Sequence, residues 1–145
     1  MSSIVELLPN LWMGNYEDCG NLLSFNECNI NTIINCCNRE PFTFDKILRQ
    51  DIMFSNKDNL DELVEKINEV VHFINEQIRQ NKYILIYSLK KDQKASTIIA
   101  CYMMKYGKMD PTNVINSICS KKHNEFYPIL HFKTVLFKYY ESIQY

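Results

Sequence analysis

The clearest pattern along the chain lies at residues 59–80. Leu60, Leu63, Val64, Ile67, Val71, Ile74 and Ile78 recur every three or four positions and form one apolar stripe. That spacing predicts an amphipathic helix. Asn59 stands where it can cap the helix, with Glu62 three residues on as a reciprocal partner. Directly after it, residues 83–87 read Tyr-Ile-Leu-Ile-Tyr, a short continuous apolar run rich in β-formers. Such a run predicts a central strand covered on both faces. A polar loop at 88–94 follows, then a helix at 95–106 that is apolar almost all round.

The remaining elements are shorter. Residues 5–14 mix apolar positions with Pro9 and Asn10 and predict two strands around a turn. Residues 17–26 predict a short helix with Leu22, Leu23 and Phe25 inward. Alternation of Ile30, Thr32 and Ile34 predicts a strand over 29–36, and residues 51–55 suggest another. Asp110-Pro111 opens a further helix, with Asp as cap and Pro in the first helical position; Val114, Ile115 and Ile118 form its inner stripe. The last helix is expected over 128–142, on Phe132, Val135, Leu136, Tyr139 and Ile143. Strands alternating with helices predict a layered α/β domain.

Composition narrows the function classes. The 145 residues suit one domain with its own core. Sixteen basic and seventeen acidic residues leave a net charge of −1, which speaks against a nucleic-acid binder. No apolar run approaches the ~20 residues of a membrane span. The first residues have neither the basic nor the apolar part of a signal peptide. Cys19, Cys28, Cys36, Cys37, Cys101 and Cys119 form no metal-type spacing with His72, His123 or His131. Reduced cysteines and a cytoplasmic location are therefore expected, with no metal and no cofactor. Arg39, Arg49 and Arg79 are the only arginines beside many Asn, Ile and Lys, a bias of A/T-rich genomes such as those of parasites and viruses.

In a layered α/β domain, ligands bind beyond the carboxyl ends of the strands, where a loop feeds a helix. Residues 88–94 have that address. Several segments around them carry a family pattern: Leu8-Pro9-Asn10-Leu11-Trp12-Met13-Gly14-Asn15, Ile30 to Asn35, Phe73-Ile74, Ile84-Leu85-Ile86, the run from Ala95 to Met104, and Pro128, Phe132 and Leu136. In order and spacing the chain resembles the dual-specificity branch of the protein tyrosine phosphatases. The resemblance implies a single cysteine-phosphatase-like α/β domain over 1–145, with a central mixed sheet of about four to five strands flanked by helices.

The loop departs from the pattern. The family signature is His-Cys-x5-Arg-Ser, with a Gly three positions after the Cys. Here Tyr87 stands for the His, Ser88 for the nucleophilic Cys, Lys91 for the Gly, Lys94 for the Arg and Ala95 for the Ser. Each change has a chemical meaning. The family reaction needs a thiolate. A serine hydroxyl needs an adjacent base, and only Asp92 lies near in sequence. Lysine is a point charge and cannot copy the two-pronged grip of arginine on a phosphoryl group. Lysine in place of glycine implies a bulkier loop of different shape. Family spacing puts Lys57 at the general-acid position, with Asp58 one residue away.

Tyr87, Ser88, Lys94 and Asp58 are thus degenerate site positions, and the resemblance is to the catalytically inactive members, the pseudophosphatases. Such a protein is expected to act by binding a protein partner. It would sequester a phosphoprotein, compete with an active phosphatase, or serve as a scaffold or homodimer unit. The rival expectation is an altered phosphohydrolase. Lys90, Lys91 and Lys94 against Asp92 leave the loop at +2 beside a helix N-terminus, and are the candidate anion-binding residues. The bland alternative is a solvated loop.

Overall fold

A computed structural model of the chain describes residues 4–25 and 28–144, with the side chains of 22–25 outside the described set. In chain order it forms β1 (Val5–Leu8), β2 (Leu11–Asn15), α1 (Tyr16–Phe25), β3 (Thr32–Asn35), β4 (Leu48–Asp51), α2 (Leu60–Arg79), β5 (Ile84–Ser88), α3 (Lys94–Tyr106), α4 (Pro111–Lys121) and α5 (Lys133–Ser142). The strands make one five-stranded sheet in the order β1-β2-β5-β3-β4. β1 runs antiparallel to β2, and the other neighbours are parallel. This is the single α/β domain with a mixed sheet that the element order implies.

β5 sits in the middle because it has no polar face to give to water. All five of its residues are buried. Ile84 and Ile86 point into the larger core, with α2 to α5. Leu85 and Tyr87 point to the other face, where they meet Cys19 of α1, Ile30, Ile33 and Cys37. Burying one such apolar side chain contributes roughly 1.5–3 kcal/mol. α3 covers the sheet beside β5 and is buried from Ala95 to Met104, which explains its apolar circumference.

The helix caps follow the chain's polar signals. Asn59 Oδ1 accepts the Glu62 amide at 3.0 Å at the start of α2. Asp110 Oδ1 accepts the Asn113 amide at 2.8 Å at the start of α4, with Pro111 as first helical residue. Within the inner stripes, Leu60, Ile78 and Ile115 are only half-buried, while Val70 joins the buried face of α2.

Three expectations need correction or limits. Residues 51–55 contribute only Asp51 to a strand, because β4 lies earlier, at Leu48–Asp51. Its four residues are all exposed, as suits an edge strand, so they carry no apolar pattern. Ile52 and Phe54 are buried just beyond it. The last helix starts at Lys133 instead of 128, since the backbone of Ile129 and His131 is bound elsewhere, to Gln93. The inward faces expected for Leu22, Leu23 and Phe25 lie outside the described residues.

Candidate functional site

β2, β3 and β5 are parallel, and their carboxyl ends meet at one edge of the sheet. Asn15 pairs with Ser88 and Asn35 with Tyr87 in register. From Ser88 the chain turns through residues 89–93 into α3. Two residues in this turn are left-handed without being glycine: Lys91 at φ 66° and Gln93 at φ 63°. The loop therefore curls tightly at Lys91 although that residue is not glycine. Each such residue costs about 1–2 kcal/mol, so something must hold it.

Gln93 supplies the hold. It is 3% exposed. Its Nε2 donates to the Ile129 carbonyl at 2.9 Å, and its Oε1 accepts the His131 amide at 2.9 Å. Its own carbonyl accepts the Thr97 amide at 3.0 Å and the Thr97 hydroxyl at 2.6 Å. Gln93 thus ties the segment before α5 to the loop through its side chain, and the first turn of α3 to the loop through its backbone carbonyl. Nothing in the sequence pattern signals this, because the partners are backbone groups 36 and 38 residues away.

Several amides of the loop are occupied within it. Asp92 folds back so that its Oδ2 accepts the Leu89 amide at 3.1 Å and its Oδ1 accepts the Lys94 amide at 3.0 Å. The Asp92 amide donates to the Leu89 carbonyl at 3.2 Å. Ser88, buried to 5% exposure, accepts the Ala95 amide on its hydroxyl oxygen at 3.2 Å.

Above the loop lies a cavity of about 520 Å³. Ser88, Lys90 and Lys91 line it. Lys94 does not; its ammonium rests 5.9 Å from the centre of the Phe54 ring. Lys122, His123 and His131 add cationic or titratable groups to the wall, and Tyr127 and Pro128 form an apolar side. Glu125 lines the same cavity. Burial pushes its carboxyl above the usual range, against smaller opposing pulls from Ser96 and Lys122. Of these wall residues, which come from the segment between α4 and α5, the sequence pattern marked only Pro128.

Asp58 stands apart. Its Oδ2 accepts the Ser55 amide at 2.9 Å, and it lines a separate smaller hollow with Asn56 and Lys133. Tyr87 is also separated from the cavity. Strand alternation turns it to the opposite face, where its ring meets Phe42 at 5.1 Å and Tyr16 at 6.2 Å. Its buried hydroxyl reaches toward the Phe42 backbone without closing a hydrogen bond, and burial raises its pKa. The structure therefore unites Ser88, Lys90 and Lys91 and leaves out Lys94, Asp58 and Tyr87.

Among the described residues no cysteine is in a disulfide. Cys36 and Cys37 follow β3 toward the same edge, but burial raises both thiols, Cys36 strongly. A protonated thiol is neither a good nucleophile nor a metal ligand. Among the described residues no group of three or more His, Cys, Asp or Glu could hold a metal. No described helix is long and apolar enough to cross a membrane.

The sequence matches the family described as dual specificity phosphatase, catalytic domain, over residues 11–142. Human dual specificity protein phosphatase 9 is 26% identical over 124 residues. That match takes in 83% of this chain and 32% of the human protein, so the chain spans about a third of that relative's length. Among solved structures, human DUSP28 superposes with a TM-score of 0.85 at 15% identity, covering 100% of this chain and 97% of that one. Human tyrosine phosphatase-like serine/threonine/tyrosine-interacting protein gives a TM-score of 0.78 at 18% identity, covering 99% and 98%. At these identities the two structures speak for the fold.

Proposed function

Since the chain belongs to the dual-specificity phosphatase family, we propose that it is a non-catalytic member, which binds a protein partner instead of hydrolysing a phosphate ester. The observation that carries this reading is the state of Ser88. Among the described residues its hydroxyl oxygen has one hydrogen bond, from the Ala95 amide, and no imidazole or carboxylate to activate it. Three further features support it. Lys94 lies over Phe54 and lacks the paired donors that grip a phosphoryl group. Asp58 is bound to Ser55 in another hollow, so the leaving group would lose an acid worth roughly 10²–10⁴-fold. Cys36 and Cys37 are held protonated.

In this reading the fold is kept for its surface. The protein sequesters a partner, competes with an active phosphatase or serves as a scaffold, as a homodimer in one form of that role. A cytoplasmic setting agrees with six cysteines outside any disulfide among the described residues. The match to a catalytic-domain family favours a second reading, an altered phosphohydrolase that uses Ser88 or a water as nucleophile. Turnover decides between them. The purified protein should release no phosphate from an aryl phosphate or a phosphotyrosine peptide above the rate of a heat-denatured control. Vanadate-sensitive turnover that disappears in Ser88→Ala would establish the second reading and overturn the first.

A further inference from the structure

We infer that Asp92 is the specificity-determining residue of the loop: its tethered carboxylate holds two of the loop amides, those of Leu89 and Lys94, against a competing phosphate, so the site favours a partner without a phosphate group. This rests on the non-catalytic reading of the same loop and names the partner's chemistry.

The geometry is that of an anion already bound. Both oxygens of one carboxylate are engaged, Oδ2 by the Leu89 amide at 3.1 Å and Oδ1 by the Lys94 amide at 3.0 Å. The Lys94 amide opens α3, where unpaired amides carry the partial positive charge of the helix end. The next amide in line, Ala95, is held by Ser88 Oγ. The residues on either side, Lys91 and Gln93, are both left-handed, and the carboxylate between them folds back onto the loop's own backbone. Gln93 is in turn fixed to Ile129 and His131, so Asp92 does not hang on a free loop.

A phosphate dianion can reach those amides only when the carboxylate leaves. Its apparent dissociation constant is then the intrinsic one divided by the fraction of molecules with an open loop. Because the competing anion is part of the chain, its effective concentration does not fall on dilution. The cavity wall itself offers Lys90, Lys91 and Lys122 as cations and Tyr127 as an apolar contact. Those groups suit a protein segment that docks on the rim and sends no phosphoryl group into the loop.

The test uses the whole chain, isotope-labelled, with inorganic phosphate as probe at fixed ionic strength. Amide NMR follows Leu89 and Lys94 in the wild type, Asp92→Asn and Asp92→Ala. The wild-type signals of these two amides should barely move, and both variants should bind phosphate about tenfold tighter or better, a change of about 1.4 kcal/mol. Asp92→Asn keeps the side-chain size and one acceptor, and it decides the matter if Asp92→Ala fails to fold. Equal phosphate affinity in wild type and variants overturns the role of Asp92, as does a wild type that saturates through those two amides. Turnover by the wild type would instead overturn the non-catalytic reading on which the proposal rests. An inert wild type whose variants gain no phosphate affinity would overturn Asp92 alone.

Discussion

On the non-catalytic reading proposed above, Ser88 and Lys94 stand where the family signature has Cys and Arg, and each side chain has a local contact of its own. The Ser88 hydroxyl fills a local role by accepting the Ala95 amide, and the Lys94 ammonium has settled over Phe54. Ser88→Cys should therefore fail to give turnover on an aryl phosphate. A thiolate alone lacks the paired donors for the phosphoryl oxygens and an acid for the leaving group. A rate near that of an active phosphatase from this single change would refute the account. Lys91 makes a second case. It takes a left-handed conformation without being glycine. A left-handed residue costs only a kilocalorie or two, less than the loop gains from the Asp92 and Gln93 bonds. Lys91→Gly should accordingly raise the unfolding free energy by about 1 kcal/mol in denaturant titration, while Lys91→Val, β-branched at a left-handed position, should lower it.

Elements whose faces differ in polarity were legible, and those without such a contrast were not. α2 carries one apolar stripe and a capping Asn59, and both are where the spacing put them. β5 reads as an unbroken apolar run and is the central strand. β4 is an exposed edge of Leu, Arg, Gln and Asp, with nothing in its sequence to mark it. The start of α5 was misplaced because its limit is set by Gln93, a contact that no local window contains. Two predictions belong at this level. Asp110→Ala removes the side-chain acceptor from the start of α4 and should cost about 1 kcal/mol by thermal or chemical unfolding. Ile98→Ala opens space in a fully buried helix between sheet and helices and should cost about 2–5 kcal/mol. A loss for Ile98→Ala no larger than for the cap would mean that α3 does not hold the core together.

For the molecule as a whole, the sheet order gathers the parallel carboxyl ends of β2, β5 and β3, with β4 beside them, at one edge, and the segment between α4 and α5 closes a wall over Ser88 and the loop that follows it. The loop's place was legible from strand, turn and helix in succession, but its wall was not, since Lys122, Glu125 and Tyr127 follow no period. Glu125 gives this wall a signature in the stability of the entire fold. Burial raises its carboxyl pKa, with the Ser96 and Lys122 contributions offsetting only part. As pH rises from acid, the unfolded chain releases this proton first, and the folded chain keeps it longer. The folded state then binds more protons than the unfolded state, so this group's contribution falls with rising pH. The loss begins at the ordinary carboxylate pKa and is complete once pH has passed the raised folded value. Glu125→Gln removes the ionisation and keeps the side-chain shape. Its stability relative to wild type should be lowest in acid and should climb toward neutral pH, where the variant melts at the higher temperature. Unfolding both proteins across that range measures the difference directly and cancels the other carboxylates. A gap that shrinks with rising pH would mean that the ionised carboxylate is well paired in the cavity, and the wall would then carry a bound negative charge instead of a costly one.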